Sequence, residues 1–359
     1  MAFAIVATII VIGTVLWNFI TPWWFTPLAS NWGSLDQTII ISLWVTGVAF
    51  VLVAGFIIYC VVKFSYKEGH KSEYEPENTK LEVILTVITT IGVIILLAPG
   101  LIAWNDYVNL PEDAMEVEAV GQQWVWTYRF PGEDGVYGNT SGRLFSSKNT
   151  FGLDPNDPNS QDDILIRSNH LHLPIDEPVV FQLRSKDVLH DFYIPQFRAK
   201  MDLVPGQQTN LWFTPTVLGT YEVACAEYCG TGHFAMRGII TVDTMSDFQS
   251  WLTEQPTFFD TMNEGTQGQG KQIAQTLGCV ACHSDNGKNG IGPTWKNSFG
   301  AERMLTTGET VIIDAEYIKE SIVNPNAKTA QGYAPVMPAY KMSEGELDAL
   351  VEYIETLSE

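Results

Sequence analysis

The sequence has little cysteine and little charge, and each shortage excludes a class of protein. Five cysteines among 359 residues are too few for a scaffold held together by disulfides. Charged residues make up 17% of the chain, below the roughly 25% typical of soluble domains. The 20 lysines and arginines are outnumbered by 41 aspartates and glutamates, which argues against nucleic-acid binding because phosphates require a basic surface. Aromatic residues reach 12%, which argues against intrinsic disorder.

The charges are unevenly spread along a chain long enough for two or three folded units. Residues 1–105 hold 6 acidic and 4 basic side chains, residues 106–254 hold 21 and 9, and residues 255–359 hold 14 and 7. The first part is therefore apolar, and the rest of the chain is acidic.

Charge is absent altogether from two long runs in the first part. Residues 39–62 and 83–104 contain none, and each run exceeds the roughly 20 residues that a helix needs to cross a bilayer. They predict a two-helix transmembrane hairpin over residues 39–105. The connection between them carries all four lysines of this part, which makes it cytoplasmic by the positive-inside rule. Everything after about residue 105 is then periplasmic or outside the cell.

Residues 1–38 begin with a third apolar run, Ala2 to Ile20, and end in an outer loop. The run is long enough to span a membrane. A signal peptide typically has Lys or Arg before its apolar run, and none precedes this one. We favour an additional transmembrane helix, with a cleaved signal peptide as the alternative. The tryptophans of this segment are typical of an outer interfacial belt; they are Trp17, Trp23, Trp24 and Trp32.

A cluster of soft ligands follows in the acidic part. The stretch VACAEYCGTGHFAM places Cys225, Cys229, His233 and Met236 within twelve residues. Thiolate, imidazole and thioether together favour copper, whereas zinc more often binds closed sets of Cys and His. A disulfide between the two cysteines is the simpler alternative. Two thiolates can also bridge two metals, and a second imidazole would then come from one of the preceding histidines, which are His170, His172 and His190.

The paired motifs SKDVLHDFYIPQF and CAEYCGTGHFAM resemble subunit II of the haem-copper cytochrome c oxidases, which carries a dinuclear copper centre called CuA. The resemblance extends from the membrane helices to about residue 252. It implies His190 and His233 as terminal ligands, Cys225 and Cys229 as bridging thiolates, and Met236 and the backbone carbonyl of Glu227 as weak ligands. His170 and His172 do not fall on the motif and are interpreted as ordinary residues of a strand or loop.

The same resemblance implies three further roles. GQQWVWTY places Trp124 where electrons enter CuA, although a buried core aromatic is the alternative. The family commonly has His and Tyr where this chain has Gln122 and Val125, so the docking surface differs.

The carboxylate of Glu227 matches a ligand of a magnesium ion shared with subunit I, and carboxylate oxygen suits that hard cation. Glu82 in LEVILTVI corresponds to the entrance of the proton path named the K channel, with an interfacial glutamate as the alternative.

Short segments rich in β-branched and aromatic residues predict strands in the middle part. They include VVFQLR, NLWFTP, TYEVACA and GIITVD. An all-β, cupredoxin-like CuA domain is expected over residues 106–252, with Asn149 to Asp163 as an exposed insertion. Residues 253–269 are enriched in Gly, Gln and Thr, and they are interpreted as a linker.

A second redox motif follows this linker. Cys279, Cys282 and His283 form CVACH, an instance of the CxxCH motif for covalent attachment of haem c. Among Met262, Met304, Met337 and Met342 we expect Met337 as the sixth iron ligand, because it lies in the proline-rich segment APVMPAY and Met is the axial ligand of cytochromes c. A redox disulfide or a zinc pair is the alternative.

The remainder of this segment fits the same interpretation. A capping box, Ser343 to Glu346, begins a helix with one apolar face. Residues 270–359 resemble an all-α class I cytochrome c, and Pro293 in IGPTW matches the residue whose carbonyl supports the haem histidine.

These expectations describe one membrane-anchored, multidomain chain that resembles subunit II of a bacterial cytochrome c oxidase with a fused C-terminal cytochrome c. Electrons from a respiratory donor, either a cytochrome or a complex of the bc1 or an alternative type, would pass from haem c to CuA. They would continue to subunit I, where oxygen is reduced to water with proton translocation. Other oxidase subunits and membrane lipid are further expected partners. The alternatives are a CuA-containing subunit of a nitric oxide reductase and a membrane-tethered copper chaperone or redox sensor.

Overall fold

The computed structural model describes residues 2–21, 26–71, 76–146, 149–263 and 268–358. The chain divides into two compact units, Met1–Leu110 and Pro111–Glu359. The first unit is helical, and the second contains both the β-rich part and the CVACH segment.

Three helices form the first unit: α1 (Ala2–Ile20), α2 (Gly33–Lys63) and α3 (Thr79–Val108). All three are long and apolar enough to cross a membrane, which confirms the hairpin and places a helix in the N-terminal run. The 31 residues of α2 extend about 46 Å at 1.5 Å per residue, beyond the predicted uncharged run at its N-terminal end. Most residues of these helices are exposed, and only Ala4 and Ala103 are buried, which suits contact with lipid or other subunits.

The predicted tryptophan belt is only partly observed. Trp17 on α1 is exposed, whereas Trp32 is buried, with its ring 5.0 Å from that of Tyr107 on α3. Trp32 therefore packs inside the helical unit instead of facing an interface. Trp23 and Trp24 lie outside the described residues.

The β-rich part consists of two five-stranded sheets. One has the order β3-β2-β1-β5-β8 and the other β4-β10-β9-β6-β7. Most neighbours are antiparallel, but β1 pairs with β5 and β10 with β4 in parallel. The bounds are β1 (Met115–Gln122), β2 (Val125–Phe130), β3 (Ile164–Ile166), β4 (His170–Pro174), β5 (Val179–Ser185), β6 (His190–Ile194), β7 (Ala199–Leu203), β8 (Thr209–Phe213), β9 (Gly219–Cys225) and β10 (Arg237–Asp243).

Alternating side chains of the two sheets meet in one aromatic core, as a sandwich of this kind requires. Trp126, Phe181 and Phe192 are fully buried. The ring of Phe192 lies 5.2 Å from each of the other two, edge-on to Trp126 and tilted to Phe181. The expected all-β, cupredoxin-like domain is therefore confirmed.

Two predictions about the edges of this domain are wrong. Asn149 to Asp163 is not an exposed insertion, because Phe151 and Leu153 are buried in a cluster with Phe258. The first part of the predicted linker, residues 253–263, is structured as well: helix α4 (Met245–Thr253) ends at the residue where the linker was expected to begin, and helix α5 (Phe258–Asn263) follows. The backbone N–H of Phe258 donates to the carbonyl of Asp163, so this segment belongs to the β-domain.

The C-terminal part, residues 268–358, contains three helices: α6 (Gln269–Thr276), α7 (Ala315–Val323) and α8 (Glu344–Thr356). The capping box of Ser343 and Glu346 is present at the start of α8. Gly270 on α6 lies so close to the carbonyl of Ala349 on α8 that any Cβ would collide with it. The domain is not purely helical, since β11 (Glu302–Met304) and β12 (Thr310–Ile312) form a hairpin.

Candidate copper and haem sites

Strand pairing brings the first two copper-motif residues together. Cys225, at the end of β9, is directly opposite Phe192 on β6, and His190 begins β6. The Sγ atom of Cys225 lies 3.9 Å from Nδ1 of His190 and 3.7 Å from Sγ of Cys229. These three residues are buried, and among the described residues they are the one group of three or more His, Cys, Asp or Glu side chains whose ligand atoms all lie within 4.8 Å of one another.

The remaining motif residues lie on the copper loop, defined as Cys225–Met236. Cys229 Sγ is 3.5 Å from Nδ1 of His233 and 3.9 Å from Sδ of Met236. The loop is closed by a backbone hydrogen bond from the Cys225 N–H to the Met236 carbonyl at 3.3 Å. The side chains of His190, His233 and Met236 therefore surround the sulfur atoms of the two cysteines.

Glu227 presents two different groups in two directions. Its backbone carbonyl accepts a hydrogen bond from Cys225 Sγ at 3.2 Å, whereas the residue itself is exposed. The carbonyl therefore lies at the thiols while the carboxylate is free to meet another group at the surface.

The donor set of this site fits copper. Both cysteines are free thiols, and Met236 is fully buried beside them. Contact with the Cys229 thiol lowers the pKa of Cys225 more than burial raises it, which favours a thiolate. The neighbouring thiol and burial raise the pKa of Cys229, and a bound metal would ionise both sulfur atoms.

Asp187, which no motif indicated, contacts the expected copper ligand His190. One carboxylate oxygen, Oδ1, lies 2.8 Å from Nε2 of His190, and the other accepts from the backbone N–H of Gln123 at 2.8 Å. Burial alone would lower the pKa of His190, but its bonds to Asp187 and Cys225 outweigh this and raise it. Carboxylates commonly fix the orientation of metal-binding histidines in this way. An acidic residue three positions before the ligand was the available signal.

Trp124 lies directly against the copper loop. Its indole Nε1 donates to the carbonyl of Cys229 at 3.1 Å, and Gln123 Nε2 donates to the same oxygen at 2.8 Å. The Trp124 side chain is 7% exposed. Gly232 packs against its ring so closely that a Cβ there would collide. The indole is therefore both buried and bonded to a copper-loop residue.

His170 and His172 are separate from the copper loop, as expected. His170 Nε2 lies 2.7 Å from the hydroxyl of Thr241. His172 Nδ1 lies 2.5 Å from a carboxylate oxygen of Asp243, and its ring stacks on Trp251 with centroids 4.5 Å apart. Both have local partners on the sheet surface.

An apolar cavity in residues 268–358 contains the expected haem ligands. Cys279, Cys282, His283 and Met337 all line it. Its walls include residues from the buried core of the domain, namely Ile313, Ile318, Ile322, Leu350 and Ile354. Of the four candidate methionines, Met342 also lines the cavity, whereas Met262 and Met304 do not. The structure thus reduces the candidates for the sixth ligand to two.

The surroundings of His283 fit an axial haem ligand. Its Nδ1 lies 2.8 Å from the carbonyl of Pro293, as predicted, which leaves Nε2 for iron. The ring stacks on Trp295 with centroids 5.1 Å apart. Burial lowers the pKa of His283 and so favours the neutral imidazole that binds metal. Trp124 of the β-domain lines this same cavity.

Glu82 lies far along the sequence from these sites, in the first turn of α3. It is exposed, and its backbone N–H donates to the carbonyl of Asn78, the cap of the helix. This is the end of α3 that follows the lysine-bearing connection, as a cytoplasmic position requires.

Comparison with known proteins agrees with both sites. Residues 115–243 match the family described as cytochrome c oxidase subunit II, periplasmic domain, and residues 268–358 match cytochrome c. The alternative cytochrome c oxidase subunit 2 of Bradyrhizobium diazoefficiens is 50% identical over 258 residues, which cover 72% of this chain and 93% of that protein. The chain belongs to the cytochrome c oxidase subunit II family.

Two other similar proteins cover different shares of this chain. The cytochrome c oxidase subunit 2 of Alkalihalophilus pseudofirmus is 28% identical and covers 86% of this chain and 83% of its own. The covered part of this chain is larger than residues 1–267, so the similarity extends into the cytochrome c region. The crystal structure of the periplasmic domain of subunit II of cytochrome oxidase from Bradyrhizobium japonicum covers 40% of this chain and 95% of its own, with 26% identity and a TM-score of 0.30.

Family membership establishes the general function of this subunit II. It is the subunit through which electrons enter a haem-copper oxidase, and it acts with subunit I. The family implies CuA in the β-domain and haem in the cytochrome domain, and both acidic domains lie on the periplasmic side of the membrane. A nitric oxide reductase subunit and a copper chaperone are not favoured.

Proposed function

We propose that this subunit II binds CuA and haem c with the residues described above and passes electrons between them through Trp124. His190 and His233 would be the terminal copper ligands, and Cys225 and Cys229 the bridging thiolates. Met236 and the carbonyl of Glu227 would complete the site weakly. The contacts between each of these groups and the two sulfur atoms support this assignment.

In the cytochrome domain, Cys279 and Cys282 would attach haem c covalently, and His283 and Met337 would be its axial ligands. When bound, haem c and CuA supply reversible one-electron redox chemistry. The protein holds the ligands, excludes water and sets the spacing. Pro293 orients His283, just as Asp187 orients His190.

One observation carries the proposed route of transfer: Trp124 lines the cavity that contains the haem ligands and also donates a hydrogen bond to the backbone carbonyl of Cys229 in the copper loop. An aromatic side chain in this position contacts both sites directly. Because both domains belong to one chain, haem c would have a high local concentration at the copper site. Transfer between them would need no diffusional encounter.

The order can be tested by rapid mixing of the purified oxidase with a reduced respiratory donor, following both spectra in one experiment. We expect haem c to be reduced first and CuA afterwards at a rate independent of donor concentration. A copper-depleted sample should show unchanged reduction of haem c. Reduction of CuA before haem c would contradict the proposed order.

The exposed carboxylate of Glu227 is proposed as a ligand of a magnesium ion shared with subunit I. Carboxylate oxygen suits this ion, and the carbonyl of the same residue faces the thiols. Glu227→Gln should lower the magnesium content of the complex without changing its copper content. Unchanged magnesium would exclude this role.

Glu82 is proposed as the entrance of a proton path into subunit I, on the strength of its position at the cytoplasmic end of α3. Glu82→Gln should slow oxygen turnover while the CuA and haem spectra stay normal. Glu77→Gln, a matched change at an exposed position just before the helix, should have no effect. Equal turnover in both variants would favour the interfacial alternative.

The electron donor is proposed to be a cytochrome or a membrane complex of the bc1 or an alternative type. Residues 255–359 carry 14 acidic and 7 basic side chains. A donor with a basic surface would therefore be steered to them, and the rate of haem c reduction should fall as salt increases.

A further inference from the structure

One buried side chain of the β-domain makes a hydrogen bond to the cytochrome domain. Gln122, the last residue of β1, is 6% exposed, and its amide nitrogen donates to the backbone carbonyl of Thr276. Thr276 is the last residue of α6 and is also buried. The last carbonyls of a helix lack partners within the helix, so the Gln122 amide supplies what this helix end needs.

A second bond fixes the orientation of this amide. Lys186 Nζ donates to Oε1 of Gln122 at 3.0 Å. An ammonium group can only donate, so the carbonyl end of the amide faces Lys186 and the NH₂ end faces Thr276. Lys186 is itself half-buried, and its backbone N–H donates to the carbonyl of Gly121.

The residues that follow each partner belong to the two redox sites. Gln122 precedes Trp124 by two positions, and Thr276 precedes Cys279 by three. Between them, Gly278 abuts the peptide of Trp124: a Cβ on Gly278 would lie 3.0 Å from the Trp124 backbone nitrogen, and its φ of +72° favours glycine. The Gln122 bond therefore lies where the haem-attachment segment meets the backbone that carries Trp124.

Gross charge does not hold these domains together, because both are acidic. A local neutral hydrogen bond, excluded from water, suits this contact better. Such a bond stabilises the contact modestly, and more is lost when one partner is removed and the other stays buried.

We propose that Gln122 is a positioning residue for electron transfer between the domains, and that its bond to Thr276 holds the haem-attachment segment against Trp124. This role rests on the proposed route through Trp124. The transfer moves one electron from reduced haem c to the oxidised copper pair, with no bond made or broken.

The test uses the full oxidase complex with Gln122→Glu, which keeps the size of the side chain but removes the donor. The first measurement is oxidative labelling of Trp124 by hydroxyl radicals, read by mass spectrometry, because undocking exposes this ring. We expect labelling to increase by about tenfold, the equivalent of one lost hydrogen bond. The second measurement is flash-initiated transfer from haem c to CuA, which should slow while reduction of haem c by an external donor is unchanged.

Two further variants make the result specific. Gln182→Glu is the matched control, because Gln182 donates to Glu116 within the β-domain at 2.8 Å, and it should leave labelling and transfer unchanged. Lys186→Met should give a smaller increase in labelling, and it tests the same contact if Gln122→Glu does not fold.

Wild-type labelling and transfer in Gln122→Glu, with both spectra intact, would overturn this role while leaving the route through Trp124 in place. Absence of transfer from haem c to CuA in the unaltered oxidase would instead refute the proposed function. In that case increased labelling would still show that Gln122 docks the domains.

Discussion

The copper loop and the haem cavity differ in what their surroundings are made of. The copper loop lies at the end of a β-sandwich whose core of Trp126, Phe181 and Phe192 is complete without any cofactor. In the cytochrome domain, the residues that line the cavity are themselves core residues, such as Ile318 and Leu350. Copper would therefore bind to a domain whose core is already packed, whereas haem would complete the core of its domain.

The largest expected effect follows from this difference. Replacing both attachment residues, Cys279→Ala with Cys282→Ala, should prevent covalent binding of haem and leave the apolar cavity unfilled. Unfilled apolar volume is strongly destabilising, so residues 268–358 should lose most of their protection in amide hydrogen exchange. The β-domain should keep its protection, and this is the internal control. A cytochrome domain that remains fully protected without haem would break the comparison.

The next largest effect concerns the other half of the comparison. Cys229→Ser should abolish the dinuclear copper spectrum, because a hydroxyl is a poor bridging ligand for copper. Protection of the β-domain strands and the haem c spectrum should both persist. Metal analysis should find about two coppers and one covalent haem per subunit in the unaltered protein. Loss of β-domain protection in Cys229→Ser would show that copper, like haem, is part of a core.

The smallest expected effect tests whether Asp187 holds the copper ligand His190 in place before copper binds. Asp187→Asn keeps the size of the side chain but removes the charge that orients His190. Copper affinity should fall by roughly 10-fold, as for other residues that orient metal ligands, with the CuA spectrum retained at saturating copper. Asp243→Asn is the control, because Asp243 makes the same kind of contact to His172 away from copper. Equal affinities in Asp187→Asn and wild type would show that the loop alone sets the site.

Local patterns in the sequence predicted much of the architecture. Uncharged runs, CVACH and the spacing of Cys225 and Cys229 each concern residues close together in the chain, so the membrane helices, the haem-attachment segment and the copper loop were within reach. The start of α8 was predicted for the same reason, since its capping box spans only Ser343 to Glu346.

Features that depend on distant partners were not predicted. Phe258 lies in a segment with the composition of a linker, yet it is buried because Phe151 and Leu153 cover it. The carboxylate of Asp187 accepts a hydrogen bond from the backbone N–H of Gln123, which lies 64 positions away in the chain. The bond from Gln122 to Thr276 joins residues 154 positions apart, and no periodic pattern in the sequence predicts such a pair. The roles assigned to the individual ligands remain predictions.

Trp124 contacts both the haem cavity and the copper loop, and we expect electrons to pass through it. Flash reduction of haem c in the full oxidase, with both centres followed optically, tests it directly in wild type, Trp124→Phe and Trp124→Leu. We expect transfer to CuA to be strongly slowed in Trp124→Leu and partly retained in Trp124→Phe, because only the latter keeps an aromatic ring; external reduction of haem c should be unchanged in both. Transfer at the wild-type rate in a folded, fully metallated Trp124→Leu variant would contradict the account.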